Sequence, residues 1–115
     1  MADCIFCRIA SGEIPADVVA RTPEAVAFRD LNPQAPVHVL VVPAAHHAAA
    51  RDPRGPEGER LLGHLLAFAA ETATGLGLDA RGYRIVTNTG KDGGQSVDHL
   101  HLHILGGRAM GWPPG

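Results

Sequence analysis

The stretch His99-Leu100-His101-Leu102-His103-Ile104-Leu105 constrains this chain more than any other. Strict alternation of imidazole and aliphatic side chains fits a β-strand, whose successive residues point to opposite faces. One face then carries Leu100, Leu102 and Ile104 and needs an apolar layer against it. The other face carries three imidazoles. A strand over His99 to Leu105 therefore predicts a sheet packed on one side and chemically equipped on the other. Three stacked imidazoles repel when protonated, so they are expected to be neutral and in use as nucleophile, general acid or base, or metal ligand.

The remaining pattern supplies that sheet. Asp3 to Gly12 places Ile5, Phe6, Ile9 and Ala10 at helical spacing, with Asp3 as N-cap. Val18-Val19-Ala20 and Ala25 to Arg29 read as a hairpin around Arg21-Thr22-Pro23-Glu24. His38 to Val42 is a fully buried strand closed by Pro43. Leu62, Leu65, Leu66, Ala69, Ala73 and Leu76 form the stripe of a long helix ending near Gly75 or Gly77. His64 on that helix is expected to be solvated. Tyr83 to Asn88 is a further strand. At 115 residues this is one α+β domain, 1–115, with about five antiparallel strands, one short helix and one long one.

Composition narrows the partners. Apolar residues at 45% and charged residues at 19% suit a folded domain. A net charge of -2 lacks the basic face that nucleic acid requires. No apolar run approaches the ~20 residues of a membrane span, and Met1-Ala2-Asp3 lacks the basic start of a secretory signal. Two cysteines three residues apart cannot staple a domain of this size. A cytoplasmic enzyme or small-ligand binder is expected, without nucleic-acid or membrane partners.

Two further motifs frame the histidines. Gly93-Gly94-Gln95-Ser96 lies just upstream, and adjacent glycines let backbone N–H groups converge on one anion. A phosphate held beside an imidazole suggests attack on phosphorus and a phospho-histidine intermediate that water hydrolyses. Cys4-x-x-Cys7 is half of a tetrahedral zinc site. Candidate partners are His46, with His47 as a register alternative, and His99. A redox role for the pair lacks the strand that precedes such motifs in thioredoxin-like folds. Other residues carry structural alternatives: Phe28 and Ile9 as core, Asp30 as a turn cap, His38 as a satisfied buried histidine.

The pattern His-φ-His-φ-His-φ-φ, with φ apolar, resembles the signature of the histidine triad (HIT) superfamily. Asp30-Leu31-Asn32-Pro33-Gln34-Ala35-Pro36-Val37-His38, Asn88, Asp92 to Val97, Leu105 to Arg108 and Met110 to Gly115 are similar to its Hint branch. The resemblance implies a HIT-like fold whose sheet continues into that of a second copy in a homodimer. It implies hydrolysis of purine nucleoside 5′-phosphoramidates or acyl-nucleotides, with an AMP- or GMP-type nucleotide as ligand. By position His101 is the nucleophile, flanked by His103 and His38. The backbone around Ser96 and Val97, in the loop with Gly94 and Gln95, holds the α-phosphate, and Asn88 and the Ser96 hydroxyl touch phosphate or leaving group. Asp30 takes the ribose hydroxyls, while Ile5, Phe6, Ile9, Phe28 and Leu31 sandwich the base. Trp112 reaches the partner protomer's site. Some bacterial relatives hold a structural zinc through two cysteines and two histidines, which implies Cys4, Cys7, His46 and His99 here.

Three departures stand out. Ala44-Ala45 replace a common Lys-Lys, Asp98 replaces an aromatic before the triad, and Gly111 replaces a histidine. They bear on leaving-group preference and leave the nucleophile in place. Two other functions compete with hydrolysis: a purine-nucleotide-binding regulatory or scaffold protein with vestigial turnover, and a zinc module using its histidines for metal alone. A metal module has no need of Gly-Gly-Gln-Ser.

Overall fold

The computed structural model describes residues 4–115. Seven elements follow one another: α1 (Ile5–Ala10), β1 (Val18–Arg21), β2 (Ala25–Arg29), β3 (Val37–Pro43), α2 (Gly55–Gly75), β4 (Tyr83–Val86) and β5 (Leu102–Gly106). The strands form one sheet in the order β1-β2-β3-β5-β4, and every neighbouring pair is antiparallel. The expected five-stranded α+β architecture is the one observed.

Strand alternation divides the core into two layers. Ala25, Ala27, Val39, Val41, Leu100, Leu102 and Ile104 face α2 and its Leu61, Leu65, Phe68, Ala69 and Ala73. Val26, Phe28, Leu40 and Val42 face the opposite way, against Phe6, Ile9 and Ala10 of α1. The larger layer stabilises the sheet, and the smaller one leaves room beside α1 for a cavity.

The long helix sits at a different rotation from the one its leucines suggest. Leu61, Leu65, Phe68, Ala69, Thr72 and Ala73 are buried, whereas Leu66 is 54% exposed and Leu62 only partly covered. Two leucine pairs, 61–62 and 65–66, fit either phase of a 3.6-residue repeat. Phe68, a large ring, and Thr72, whose hydroxyl donates to the Phe68 carbonyl at 2.8 Å, settle the phase. His64 is not free in solvent either: its Nε2 lies 2.9 Å from Thr22 Oγ1 and its ring stacks on Phe68.

The last strand is shorter than its alternation. β5 begins at Leu102 and β4 ends at Val86, so His99 to His101 and Thr87-Asn88 lie outside the ladders. Proline is the reason on one side, because Pro43 offers β3 no N–H with which to continue. Leu100 N–H turns instead to the His47 carbonyl at 2.6 Å, and Thr87 Oγ1 donates to the His101 carbonyl at 2.8 Å. The in–out alternation survives, which keeps the imidazoles on the α1 side. At α1, Cys4 is the N-cap, its Sγ accepting from Cys7 N–H at 3.4 Å; Asp3, the expected cap, lies outside the described residues.

Leu65 is fully buried between helix and sheet. Leu65→Ala should lower unfolding stability by about 2–5 kcal/mol, through lost transfer energy and the cavity left behind. Urea titration checks this, and a loss below about 1 kcal/mol contradicts the packing.

Candidate functional site

A cavity of about 470 Å³ opens between α1 and the sheet, within the usual range for small-molecule sites. Ile5, Phe6, Ile9 and Phe28 form its apolar walls, and Asp30, Leu31, Ser96 and Val97 edge it. His38, His101 and His103 complete the lining. Thus most of the sequence-derived nucleotide residues gather around one space. Ile14, Pro15, Ala16 and Leu40 also line it. They were not foreseen, since short apolar residues in a loop or a buried strand carry no signal of their own.

Four of the expected residues lie elsewhere in the single chain. Asn88 and Gly94 are not in the wall, and Trp112 stands 84% exposed in the tail. Gln95 turns into its own loop: Oε1 accepts from Gly90 N–H, and Nε2 donates to the Ala48 and Val97 carbonyls. That side chain ties the glycine-rich loop to the segment after Pro43. The loop itself demands glycine, because a Cβ on Gly93 would overlap the Thr89 carbonyl oxygen and Gly94 has φ +79°.

The hydrogen bonds fix which nitrogen of each imidazole carries its proton. His101 Nδ1 lies 2.7 Å from the His99 carbonyl, which can only accept, so Nδ1 holds the proton. The Nε2 lone pair of His101 is left free, on a ring only 3% exposed. His38 Nδ1 accepts from Gln34 N–H at 3.0 Å, so its proton is on Nε2. That proton has two acceptors in reach, His103 Nδ1 at 2.9 Å and Asp30 Oδ2 at 3.5 Å. The shorter contact wins, and His103 is left with Nε2–H as its free polar group.

Burial keeps His103 and His38 neutral. It pushes the His103 pKa down to about 4, aided by His101 and His38 and opposed by Asp30. His38 is lowered for the same reason, again against Asp30. The His38–Asp30 approach is therefore a contact with a neutral imidazole and not an ion pair. Asp30 is also the turn cap that its sequence context suggested, since Oδ1 accepts from Asn32 N–H at 2.8 Å. Oδ2 stays available to the cavity edge.

Behind the cavity, Cys4, Cys7, His46 and His99 bring one ligand atom each within 4.8 Å of one another. His99 is fully buried, and its Nε2–H donates to the Pro43 carbonyl at 2.9 Å. Its Nδ1 lone pair therefore faces Cys4 Sγ at 3.2 Å and Cys7 Sγ at 3.4 Å. His46 Nδ1 lies 3.4 Å from Cys7 Sγ. Zn–S and Zn–N bonds of about 2.3 and 2.1 Å at the tetrahedral angle put sulfur and nitrogen about 3.5 Å apart, so the four donors fit such an ion. A backbone carbonyl behind the ligating imidazole is the usual support for one. Burial pushes the Cys7 thiol up, with the hydrogen-bonded Cys4 thiol adding to it. His47 is not in the cluster; it offers its backbone carbonyl to Leu100.

Rings and thiols meet through Phe6. Its edge contacts reach Phe28, His99 and His101, with centroids 5.7, 5.9 and 5.2 Å apart. Thr87 was also missed by sequence reasoning; a threonine just beyond a strand end has no distinguishing pattern. Its bond to the His101 carbonyl takes the place of the ladder that stops at Val86.

A single antiparallel sheet, with three alternating histidines leading into its β5 strand beside a small-molecule-sized cavity, defines a narrow class of protein. The HIT domain family matches residues 11–110, and the chain belongs to that family. An uncharacterised HIT-like protein of Synechococcus elongatus is 50% identical over 113 residues, covering 98% of this chain and 97% of its own. The crystal structure of a HIT family hydrolase from Legionella pneumophila superposes with a TM-score of 0.93 at 49% identity, covering 98% of this chain and all of that one. A histidine triad nucleotide-binding protein from Candida albicans gives 0.82 at 32% identity over 96% and 83% of the two chains. Among the described residues no helix is long and apolar enough to cross a membrane.

Folded His103 refuses, down to about pH 4, a proton that an unfolded imidazole takes up near 6.5. Between those values the unfolded state binds more protons, so stability rises with pH across the window and is lost as pH falls through it. Buried His38 acts in the same direction. Urea unfolding at pH 4 to 7 should show this slope, and His103→Gln should flatten part of it. A slope identical in the variant contradicts the assignment.

Proposed function

We propose that this protein is a nucleotidyl hydrolase that cleaves purine nucleoside 5′-phosphoramidates or acyl-nucleotides. The observation that carries the proposal is the 2.7 Å contact from His101 Nδ1 to the His99 carbonyl, which leaves an Nε2 lone pair on the cavity wall. The hydrolase in Legionella and the nucleotide-binding relative in Candida support it.

In the proposed mechanism the base lies between Ile5, Phe6, Ile9, Phe28 and Leu31, and the ribose hydroxyls donate to Asp30 Oδ2. The α-phosphate sits against the Ser96–Val97 backbone and the Ser96 hydroxyl. His101 Nε2 attacks phosphorus, the P–N or P–O bond to the leaving group breaks, and the nucleotide is carried on the imidazole. His103 Nε2–H donates to a phosphoryl oxygen as charge builds there. His38, locked by Gln34 N–H, keeps His103 in the tautomer that can donate. The departing amine takes a proton from solvent, and water then attacks phosphorus and releases the nucleoside monophosphate.

Zinc is proposed for Cys4, Cys7, His46 and His99, where it would pin α1 and the segment after Pro43 to the residue before the nucleophile. Its role is structural. The working unit is proposed to be a cytoplasmic homodimer, with β4, an edge strand, pairing to that of a second copy. In it Asn88 and the partner's Trp112 would shape the leaving-group side. Arg84, which donates to the Gly111 carbonyl at 2.6 Å, starts the tail on its course.

His101→Ala should lower turnover of an adenosine phosphoramidate about 1,000-fold or more, with AMP affinity within about threefold, because attack matters only in the transition state. Steady-state rates and calorimetry check both numbers. Near-normal turnover would exclude His101 as nucleophile, and binding without any wild-type turnover would favour the scaffold function.

Protein purified without a His-tag or chelators should contain about one zinc per chain by elemental analysis. Stripping the metal should lower the unfolding temperature, since three segments distant in sequence lose a shared anchor. A metal content near zero ends the zinc proposal.

A further inference from the structure

Cys4 and Cys7 stand one helical turn apart at the start of α1, and both are half-buried. Their sulfur atoms lie within 4.8 Å of each other. On one helical turn the two Cβ atoms need only draw in to about 3.5–4.5 Å for these sulfurs to join as a disulfide. We infer that this pair is a redox modification site: a low-molecular-weight disulfide closes Cys4–Cys7 and thereby loosens the nucleotide cavity. The inference rests on the proposed nucleotide site for its consequence, not for its chemistry.

The step balances as two thiol–disulfide exchanges. One cysteine sulfur attacks the small disulfide, whose S–S bond breaks and releases one reduced thiol. The second cysteine then attacks the mixed disulfide, forms Cys4–Cys7 and releases the other. Two electrons pass from the cysteine pair to the small disulfide, and the cysteine protons leave with the two small thiols or with water; zinc, where the thiolates hold it, is released to solvent.

His99 converts that closure into a change at the site. Its Nδ1 lone pair is enclosed and faces the two sulfurs at 3.2 and 3.4 Å, while Nε2–H is committed to the Pro43 carbonyl. Thiols give that lone pair an S–H donor, and a bound metal gives it a bond. A disulfide gives it neither. A fully buried acceptor without a partner is destabilising, so the His99 ring must move or admit water. The backbone of His99 is also what holds His101 Nδ1. Phe6, between the two cysteines in sequence, packs on His99, His101 and Phe28, so a distorted α1 disturbs the cavity wall as well.

The test treats the full-length protein with glutathione disulfide, then reads three signals before and after adding dithiothreitol with one equivalent of zinc. Mass spectrometry should show loss of two hydrogens and a peptide linked through Cys4 and Cys7. Amide hydrogen exchange across residues 97–103 should quicken about tenfold. AMP affinity should fall about fivefold or more, with all three effects reversed by the dithiol. Cys7→Ser cannot bridge, so its ratios with and without oxidant should stay near one. The inference is overturned if no Cys4–Cys7 bridge forms, if it forms with exchange unchanged, or if Cys7→Ser responds like wild type. Should reduced protein neither bind AMP nor hydrolyse phosphoramidate, the proposed function fails, and bridging and exchange still decide this inference.

Discussion

The carbonyl oxygen of His99 accepts from His101 Nδ1 at 2.7 Å, and much of the site's order follows from that one bond. It selects a tautomer, and the tautomer decides whether His101 presents a lone pair or a proton to the cavity. For the carbonyl to aim correctly, His99 must sit outside the ladder, because a paired strand would direct its C=O to a neighbouring strand. Pro43 meets that need by ending β3 where it does. The His99 ring is then held from both ends, by the Pro43 carbonyl and by the thiols of α1. Thr87 secures the carbonyl two residues on, that of His101 itself.

A second chain of fixed protons runs from Gln34 N–H through His38 to His103. Both chains begin at backbone groups, which cannot change protonation state. Side-chain anchors would titrate and lose their orientation with pH. Burial adds to the effect by holding His103 and His38 neutral, so the tautomers persist across the neutral range. The three triad histidines therefore differ in what they can do: His99 can ligate, His101 can attack and His103 can donate. Their sequence spacing is uniform, and the differences come wholly from what each ring's second nitrogen touches.

That contrast explains what was legible beforehand. Side-chain alternation is a property of the chain itself, so the faces of residues 99–105 and the order of the elements could be read directly. The donor set Cys4, Cys7, His46 and His99 was legible from the Cys-x-x-Cys half-site together with the family resemblance, while His47 stayed open as an alternative to His46. Helix phase was not, because leucines at 61, 62, 65 and 66 satisfy two rotations, and only packing of Phe68 and Thr72 separates them. The strand end at Leu102 and the part played by Thr87 depend on where a partner strand stops, which no local pattern encodes. Gln95 illustrates the same limit, since its glycine-rich context suggested an anion contact while its amide bridges Gly90, Ala48 and Val97.

The placement of the cysteines ties the two halves of the site together. α1 contributes only six helical residues, too few to be stable alone, and it must be fastened to the sheet to serve as a cavity wall. Its apolar face supplies Phe6 and Ile9, but the same residues border the cavity and so cannot be completely enclosed by protein. An anchor on another side of the helix resolves the conflict. Cys4 and Cys7 provide it at the buried His99, leaving Ile5, Phe6 and Ile9 to line the cavity. Fastening the wall through the residue that orients His101 makes the cavity wall and the free Nε2 of His101 depend on the same few atoms. Any event at the thiols then acts on both at once.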